Sequence, residues 1–194
     1  VFNEAASLPL VGTSALQGLT EHINLDQGHK IFIHGGSGGI GTVAIQIAKN
    51  IGAYVATTAT DEGIEYVKKL GADEIIDYKS QDFTELLKDY DAVFDAVGGD
   101  DFNKSFVILK KGGVAVTMIA EPDEAKASEL GISVIRQATQ VTTNRLEGLA
   151  KLVEDGVVTP HVDAVLPLEE IQKAFEIREA GNVKGKVVIE IKKG

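Results

Sequence analysis

A run of glycines between an apolar stretch and an amphipathic stretch most constrains what this chain can fold into. Residues 34–42 read HGGSGGIGT, directly after the apolar residues IFI. Gly36, Gly38 and Gly41 have the G-x-G-x-x-G spacing of loops that bind the pyrophosphate of a dinucleotide. From residue 40 to residue 51, apolar residues recur at steps of three and four, which predicts a helix with one apolar face. The glycines therefore join a predicted strand to a predicted helix, whose free N–H groups favour bound anions.

The glycines also fit the loop of a short-chain reductase, in which the spacing is G-x-x-x-G-x-G, here Gly35, Gly39 and Gly41. That class needs a Tyr-x-x-x-Lys pair, because the lysine lowers the pKa of the tyrosine that delivers a proton. The required pair is missing, since the residues four positions after the tyrosines are Thr58, Leu70, Asp82 and Phe94.

A nucleotide triphosphate loop is excluded by the residues that follow the glycines. Gly36 and Gly41 have the G-x-x-x-x-G spacing of such a loop. The next two residues are Thr42 and Val43, where that loop requires a lysine and then serine or threonine. The chain therefore places no ammonium there for a triphosphate.

A serine hydrolase stays open as a remote alternative. The stretch GGSGG contains the G-x-S-x-G pattern of a nucleophile elbow, and the order Ser37, Asp95, His161 matches the order of the catalytic residues in that class. The nucleophile of that class sits late in its sheet, however, whereas Ser37 follows the first predicted strand. This interpretation also leaves Gly41 unexplained.

The dinucleotide interpretation explains every glycine of the pattern. It predicts that Gly36 permits a tight turn, that Gly38 lets the backbone approach the pyrophosphate, and that Gly41 lets the helix pack closely on its strand. The following helix would then direct its positive end at the phosphates.

Strands and helices alternate along most of the chain, which predicts an α/β fold. Short apolar runs predict six strands, at residues 30–34, 53–58, 74–77, 92–97, 114–119 and 132–136. Helical patterns precede, separate or follow them, at residues 8–23, 40–51, 61–70, 83–87, 102–109 and 121–130. Hairpin turns of the Asn-Gly type are missing between the strands. We therefore predict a doubly wound, parallel six-stranded Rossmann sheet with helices on both faces, and a turn at Gly112–Gly113.

After the sixth predicted strand, the regular alternation of strands and helices ends. Helical patterns at residues 146–153 and 168–175 are followed by a final strand at residues 186–191. We predict a nucleotide-binding domain over residues 1–138, with a leading helix, and a separate C-terminal segment over residues 139–194. Because the chain begins at Val1 and its only methionine is Met118, we expect it to be part of a longer protein.

Composition argues against several classes of partner. The formal net charge of -10, from 19 basic and 29 acidic residues, disfavours binding to nucleic acid or anionic membranes. The chain has no cysteine and four scattered histidines, which excludes disulfides and thiolate metal sites and disfavours structural zinc. No apolar run approaches the roughly 20 residues of a membrane span. We predict a cytoplasmic location.

The end of the second predicted strand bears on the choice of cofactor. NAD-binding proteins place a carboxylate there, about 20 residues after the glycines, to hold the ribose hydroxyls. This chain has the sequence TTAT, with Thr58 and Thr60 offering hydroxyls that can bind a 2′-phosphate. NADP(H) is therefore favoured and NAD(H) remains possible. Alternatively, Thr60 only caps the helix that starts at Asp61.

The chain resembles the quinone oxidoreductase branch of the medium-chain dehydrogenase/reductase superfamily, whose members are also called zinc-type alcohol dehydrogenase-like proteins. The resemblance covers nearly the whole length and is specific, because several motifs occur in order. They are EAASLPLVGTSAL from Glu4, IFIHGGSGGIGTVAIQIAK from Ile31, LGADEIIDYK from Leu70, DAVFDAVGG from Asp91, LKKGGVAV from Leu109 and GKVVIEI from Gly185.

The resemblance implies a fold and an activity. The family has an N-terminal catalytic domain, a Rossmann domain and a C-terminal segment that returns to the catalytic domain, so we expect that first domain to be missing here and this chain alone to be inactive. The implied activity is NADPH-dependent reduction of quinones or of enone double bonds by hydride transfer, without zinc. The resemblance also implies a homodimer formed through the edge strand at residues 132–136.

The resemblance assigns the phosphates of the cofactor to two groups of residues. Backbone N–H groups would bind the pyrophosphate, and Tyr78 would help to hold the 2′-phosphate. Relatives usually carry a lysine facing that phosphate where this chain has Gly63, a departure that weakens the prediction of NADP(H). The residues of the pyrophosphate loop are Gly36, Ser37, Gly38, Gly39, Ile40 and Gly41.

The nicotinamide end of the cofactor is assigned to three residues. Thr13 would lie near the nicotinamide, and Val97 and Gly98 would flank its ribose. Structural interpretations stand beside the functional ones: Thr13 as a helix-surface residue, Tyr78 as a half-buried packing aromatic and Asp95 as a turn former at a strand end. His34 is predicted to be structural, without a partner.

No catalytic residue can be named from the sequence, because no general acid is evident in these motifs. The chain could therefore be a non-catalytic Rossmann module that senses redox state through NADPH or serves assembly. The sequence does not separate this alternative from an oxidoreductase.

Overall fold

The computed structural model describes residues 2–181 and 183–191, and its centre is a parallel six-stranded sheet with the order β3-β2-β1-β4-β5-β6. Every neighbouring pair of strands in this sheet is parallel, which confirms the predicted α/β architecture. The strands are β1 Lys30–His34, β2 Tyr54–Ala59, β3 Glu74–Asp77, β4 Tyr90–Asp95, β5 Leu109–Thr117 and β6 Ser133–Arg136.

Helices connect the strands and cover both faces of the sheet. In chain order they are α1 Phe2–Ser7, α2 Pro9–Gln17, α3 Gly39–Ile51, α4 Glu62–Lys69, α5 Phe83–Leu86, α6 Asp100–Lys104, α7 Glu124–Leu130, α8 Thr143–Glu154 and α9 Ile171–Glu179. None of the described helices is both long and apolar enough to cross a lipid bilayer.

Strand β1 shows why the sheet is covered on both sides. Ile31 and Ile33 are buried in a core that includes α2 and α3, whereas Phe32, between them, is buried in a second core on the opposite face. Successive side chains of a strand point to opposite faces, so a strand without polar alternation must be buried on both. The apolar run of β1 is thereby explained.

Helix α3 ends at Ile51, as its apolar pattern predicts, and begins one residue before the predicted start. Its inward face includes Val43, Ala44, Ile47 and Ala48, all buried against the sheet. Gly52 ends the helix with a φ of 92°, a left-handed conformation that glycine adopts without the steric cost of a Cβ atom.

The first predicted helix, at residues 8–23, is interrupted. α1 ends at Ser7, α2 begins at Pro9, and a π-helical turn over Gly18–His22 follows α2. Proline is tolerated at the start of α2 because the N–H that it lacks has no intrahelical acceptor there.

Two elements near the middle of the chain differ from their predictions. The helix predicted at 102–109 begins earlier, as α6, and continues as a 3-10 turn over Ser105–Ile108. Strand β5 then starts at Leu109 and runs through the predicted turn at Gly112–Gly113. Its pairing with β4 jumps from Tyr90↔Leu109 to Ala92↔Val114, so the glycines belong to an irregular part of the strand.

The C-terminal segment contains a strand that the sequence analysis did not predict. Strand β7, Val162–Pro167, pairs in parallel with the final strand β8, Lys186–Glu190, and the two form a separate sheet. A 3-10 turn over Leu168–Glu170 and helix α9 lie between them in the chain. Only one of the six residues of β7 is buried and three are exposed, so it lacks the apolar run of the central strands.

Candidate functional site

The glycine loop connects the carboxyl end of β1 to the start of α3, as predicted. The turn that follows β1 is closed by the N–H of Gly38, which donates to the Gly35 carbonyl at 3.2 Å, so Gly36 lies within it as predicted, and the positive φ of 86° falls at Gly35. Gly35 and Gly36 are fixed to β2, because the N–H of Gly35 donates to Thr58 Oγ1 at 2.9 Å and the N–H of Gly36 donates to the Thr58 carbonyl at 3.1 Å. Thr58 is buried, and its hydroxyl positions the loop.

Close packing explains the absence of side chains at two of the glycines. A Cβ atom on Gly36 would meet the side chain of Thr57 and come within 3.0 Å of Ile45. A Cβ atom on Gly41 would lie only 2.7 Å from Gly36 Cα, so α3 can approach the loop this closely only with glycine at that position.

Gly38 has a different environment, because a Cβ atom there would have only the Gly35 carbonyl oxygen nearby, at 3.4 Å. Gly38 caps α3 with extended backbone and provides no side-chain cap. Within the described residues, the N–H groups of Ile40 and Gly41 have no hydrogen-bond acceptor, whereas the next N–H, of Thr42, donates to the Gly38 carbonyl at 3.0 Å. The start of this 13-residue helix therefore presents free donors suited to an anion.

A cavity of about 300 Å³ lies beside this loop and gathers several predicted residues. Ser37, Thr60 and Tyr78 line it together, and so does Gly63. Tyr78 is 57% exposed, so the interpretation of it as a half-buried packing residue is wrong. The remaining lining residues are Asp61, Glu62, Gly181, Val183 and Lys184.

Thr60 contributes a buried hydroxyl to this cavity. The hydroxyl oxygen has no hydrogen-bond partner among the described residues, although it lies near the Asp77 carboxylate. The pKa of Asp77 is lowered chiefly by the N–H of Lys79 and secondly by this hydroxyl. The residue at the cap of α4 is Asp61, so the alternative role of Thr60 as the helix cap is wrong. A buried polar group without a partner is costly, which makes Thr60 a candidate contact for a ligand.

Two carboxylates at this cavity were missed in the sequence analysis, and each is paired with a lysine. Asp61 accepts a hydrogen bond from Lys79 at 2.5 Å, and Glu62 accepts one from Lys184 at 2.7 Å. These hydrogen bonds raise the pKa of both lysines and lower the pKa of Glu62. An available signal was the acidic pair directly after the TTAT sequence.

The predicted departure at Gly63 has a steric reason in this structure. A Cβ atom at this position would lie 3.2 Å from both Cβ and Oγ of Ser37, closer than ordinary van der Waals contact. Any side chain at position 63 would therefore have to displace Ser37 or shift α4.

The segment that precedes β8 contacts the glycine loop. Gly38 and Gly185 form an isolated parallel bridge, and the N–H of Gly185 donates to the Ser37 carbonyl at 3.0 Å. The segment that leads into β8 is thereby attached to the loop, and it places Lys184 on the wall of the cavity.

A buried polar cluster lies at the carboxyl ends of β1 and β4. His34 Nδ1 is 3.1 Å from Asp95 Oδ1, so the prediction that His34 lacks a partner is wrong. Thr117 donates to Asp95 Oδ2 at 2.7 Å. Burial alone would raise the pKa of Asp95, but the hydrogen bonds, led by that of His34, hold it below its ordinary value.

This cluster positions the loop that was predicted to flank the nicotinamide ribose. The N–H of Val97 donates to Asp95 Oδ1 at 3.1 Å, and the N–H of Gly98 donates to both carboxylate oxygens. Val97 and Gly98 therefore follow β4, which ends at Asp95 rather than at Val97 as predicted. The interpretation of Asp95 as a turn former is confirmed. Val97 is 54% exposed, so its side chain is accessible to a ligand.

Thr13 is fully buried in α2, so the interpretation of it as a helix-surface residue is wrong. Its hydroxyl donates to the Pro9 carbonyl at 2.5 Å, inside its own helix. Its predicted place near a nicotinamide stays a prediction.

The catalytic triad of the hydrolase alternative is not assembled among the described residues. Asp95 pairs with His34, whereas the ring of His161 packs on Tyr66, with the centroids 4.7 Å apart. The nearest carboxylate that pairs with His161 is Asp163, at 3.8 Å.

The described part of the chain contains no set of side chains suited to bind a zinc ion. No three or more histidines or acidic residues are grouped there in a way that could hold a metal ion, and the whole sequence contains no cysteine. The described residues therefore do not fit the tetrahedral nitrogen and sulfur environment that zinc prefers.

A nicotinamide dinucleotide, in contrast, fits the groups at the glycine loop. Free N–H groups begin α3, Gly38 leaves room above the loop, and the Thr60 hydroxyl has no partner among the described residues. These three features are what a pyrophosphate and an adenosine ribose require of a binding site.

A family model described as zinc-binding dehydrogenase matches residues 70–189. Among curated proteins, the NADPH-dependent alkenal/one oxidoreductase of Arabidopsis thaliana, a chloroplastic protein, is 36% identical over 196 residues, covering 97% of this chain and 47% of the relative. The mitochondrial NAD(P)H oxidoreductase RTN4IP1 of Bos taurus is 32% identical over 220 residues, covering 97% of this chain and 55% of the relative. The chain thus spans about half the length of these relatives.

Among solved structures, the quinone oxidoreductase from Coxiella burnetii superposes with a TM-score of 0.90 at 34% identity. The superposition covers 97% of this chain and 60% of that structure. The six-stranded sheet and the C-terminal strand pair thus belong to a known architecture, which extends beyond the part that matches.

Proposed function

This chain belongs to the zinc-binding dehydrogenase family, in the quinone oxidoreductase branch of the medium-chain dehydrogenase/reductase superfamily, and from that premise we propose that it binds NADP(H) for an oxidoreductase. The proposed reaction is the reduction of quinones or of enone double bonds by hydride transfer, without zinc. The proposal includes the division into a nucleotide-binding domain at residues 1–138 and a C-terminal segment at residues 139–194.

The observation that carries the proposal is that Ser37, in the loop that leads to the free N–H groups of α3, also lines the 300 Å³ cavity. A dinucleotide has two anionic groups, the pyrophosphate and, in NADP(H), the 2′-phosphate. The N–H groups of Ile40 and Gly41 suit the first, and the cavity lined by Ser37, Thr60 and Tyr78 suits the second.

The nicotinamide cofactor, when bound, supplies the hydride. The chain's own residues bind and orient it. In this proposal Gly38 lets the backbone approach the pyrophosphate, and Val97 and Gly98, whose N–H groups Asp95 holds, flank the nicotinamide ribose as the resemblance implies.

The names of the relatives support the activity class. The Arabidopsis protein is named as an NADPH-dependent alkenal/one oxidoreductase and the Coxiella protein as a quinone oxidoreductase. Both names describe reductases of conjugated carbonyl or quinone compounds.

Calorimetric titration of the protein with NADPH and, separately, with NADH tests the proposal. We expect binding of both, with NADPH bound more tightly. Absence of heat with either dinucleotide would overturn the proposal and reopen the hydrolase alternative. Binding of NADPH without any reduction of quinones or enones by the whole protein would instead favour the non-catalytic redox-sensing or assembly module.

We also propose a homodimer formed through β6 and a cytoplasmic location. Strand β6 is the edge strand of the sheet, which supports pairing across a two-fold axis. Mass in solution, measured at several concentrations by sedimentation, tests the dimer, and a monomer at every concentration contradicts it. Imaging of the tagged protein tests the location. The two curated relatives are chloroplastic and mitochondrial by name, and a signal in either organelle would contradict the cytoplasmic proposal.

A further inference from the structure

We propose that Lys184, from the C-terminal segment, is the cation that selects the 2′-phosphate of NADPH, and that Glu62 is a resident counter-ion which the phosphate displaces. This inference rests on the proposed function. It assigns the specificity for the cofactor to a residue outside the nucleotide-binding domain predicted over residues 1–138.

The first step of the argument is steric. Position 63 supplies no cation because it is glycine, and a Cβ atom there would already press on Ser37, at 3.2 Å from the serine side chain. A phosphate in the cavity must therefore find its positive partner elsewhere on the wall. Lys184 is the only cationic residue among those that line this cavity in the described chain.

The second step is that the backbone around Lys184 is fixed. The N–H of Gly185 donates to the Ser37 carbonyl at 3.0 Å, and the N–H of Lys186 donates to the His161 carbonyl at 3.1 Å. Gly185 has a φ of 70°, a left-handed conformation suited to glycine. Lys184 is thus held beside the same loop whose N–H groups are offered to the pyrophosphate.

The third step concerns the present partner of Lys184. Its Nζ lies 2.7 Å from Glu62 Oε2, but the two side chains differ strongly in exposure, 25% for Lys184 and 86% for Glu62. An exposed carboxylate can turn into water at little cost, because surface ion pairs contribute little. The less exposed ammonium keeps its place, and a phosphate oxygen can then accept its hydrogen bond.

The fourth step concerns the charge balance of the wall. Asp61 and Glu62 are the two acidic lining residues, and Asp61 is already paired with Lys79. Binding of a 2′-phosphate therefore requires that Glu62 leaves Lys184. The inference predicts opposite effects for the two members of the pair: removal of the lysine charge weakens NADPH binding, and removal of the glutamate charge strengthens it.

The experiment compares Lys184→Gln, Lys184→Arg and Glu62→Gln by calorimetric titration with NADPH and NADH, after circular dichroism confirms the fold. We expect Lys184→Gln to weaken NADPH binding about tenfold and NADH binding less than about twofold, because only NADPH loses a charged hydrogen bond. Glu62→Gln should tighten NADPH binding about two- to threefold and leave NADH unchanged. Lys184→Arg should keep the preference for NADPH, and the control Lys173→Gln, which breaks an exposed pair with Glu170, should change neither affinity.

The outcomes separate this inference from the proposed function. If the unmodified protein binds neither dinucleotide, both fail. If it prefers NADH, the inference fails and the dinucleotide site remains. If it prefers NADPH and Lys184→Gln lowers both affinities equally or neither, only the role of Lys184 is overturned. If Lys184→Gln does not fold, an unchanged NADPH affinity in Glu62→Gln overturns that role by itself.

Discussion

His34 and Asp95 are register partners at the carboxyl ends of the neighbouring strands β1 and β4, and their side chains meet at 3.1 Å in the buried interior. They lie 61 positions apart in the chain. Asp95 joins two further elements, since it accepts a hydrogen bond from Thr117 on β5 and two from Gly98. One carboxylate therefore holds three strand ends and the loop after β4 in a fixed arrangement.

The substitution Asp95→Asn should destabilise the protein by about 2 to 3 kcal/mol, because charged hydrogen bonds are lost and buried donors are left without an acceptor. Urea denaturation followed by circular dichroism measures this free energy. The matched control is Asp101→Asn, which removes a carboxylate paired with Lys104 at the surface and should leave the midpoint unchanged. An equal effect of the two substitutions would contradict the structural role of Asp95.

The stability that Asp95 provides should depend on pH. Its pKa in the folded protein is below the ordinary value of about 3.9, so folding favours the ionised form. The contribution is therefore fully present above about pH 4 and is lost as the pH falls through the lower pKa of the folded state. Measured from pH 6 to pH 3, the difference in unfolding free energy between the wild type and Asp95→Asn should shrink. A constant difference over that range would refute the assignment.

The strand and helix alternation could be predicted from the sequence because it depends on local patterns. The bounds of β1 and β3 follow from short apolar runs, and the end of α3 follows from a glycine that caps it. Strand β7 was missed for a physical reason. Its partner is a single strand, only one of its six residues is buried, and its residues do not form the apolar run that burial on both faces requires.

The site was predicted where it depends on one loop and missed where it depends on contacts between distant segments. Ser37, Thr60 and Tyr78 were predicted from motifs, and they share one cavity. The pairing of Glu62 with Lys184, 122 positions apart, depends on how the C-terminal segment packs on the glycine loop. A local sequence pattern does not predict such a contact, and it does not predict the strand register that joins His34 to Asp95 either.

The substitution Thr60→Val should separate binding from stability. The hydroxyl of Thr60 is buried and makes no hydrogen bond of normal geometry in the described chain, although it lies close enough to Asp77 to lower the pKa of that carboxyl, so its replacement by a methyl group should change the free energy of unfolding by less than about 1 kcal/mol. NADPH binding should nevertheless weaken about tenfold if the hydroxyl contacts the cofactor. Calorimetry and urea denaturation measure the two effects.

The control for this prediction is Thr20→Val, at an exposed position where the hydroxyl donates to the carbonyl of Leu16. That substitution should not change the affinity for NADPH. If Thr60→Val binds NADPH as well as the wild type does, Thr60 is not a cofactor contact.

Two glycines of the loop should lose different amounts of stability when the same methyl group is added. In Gly41→Ala, the new Cβ would lie 2.7 Å from Gly36 Cα, a backbone atom that cannot turn away. We expect a loss of about 1 to 3 kcal/mol in the free energy of unfolding. In Gly38→Ala, the Cβ would lie 3.4 Å from the Gly35 carbonyl oxygen, an ordinary contact, and the cost should stay below about 1 kcal/mol as for a weaker helix cap.

The functional consequence separates the two glycines further. Gly38→Ala should fold and yet bind NADPH at least about tenfold more weakly, because its methyl group occupies the space that the pyrophosphate needs above the loop. The control is Gly148→Ala, which adds a methyl group in α8 with only Leu16 nearby, at 3.6 Å. Gly112→Ala would not serve, because alanine is strained at the φ of 83° found there. Denaturation and calorimetry on all three variants provide the test. Unchanged NADPH affinity in a folded Gly38→Ala variant would mean that the pyrophosphate does not pass over this loop, and that the free N–H groups of α3 serve another anion.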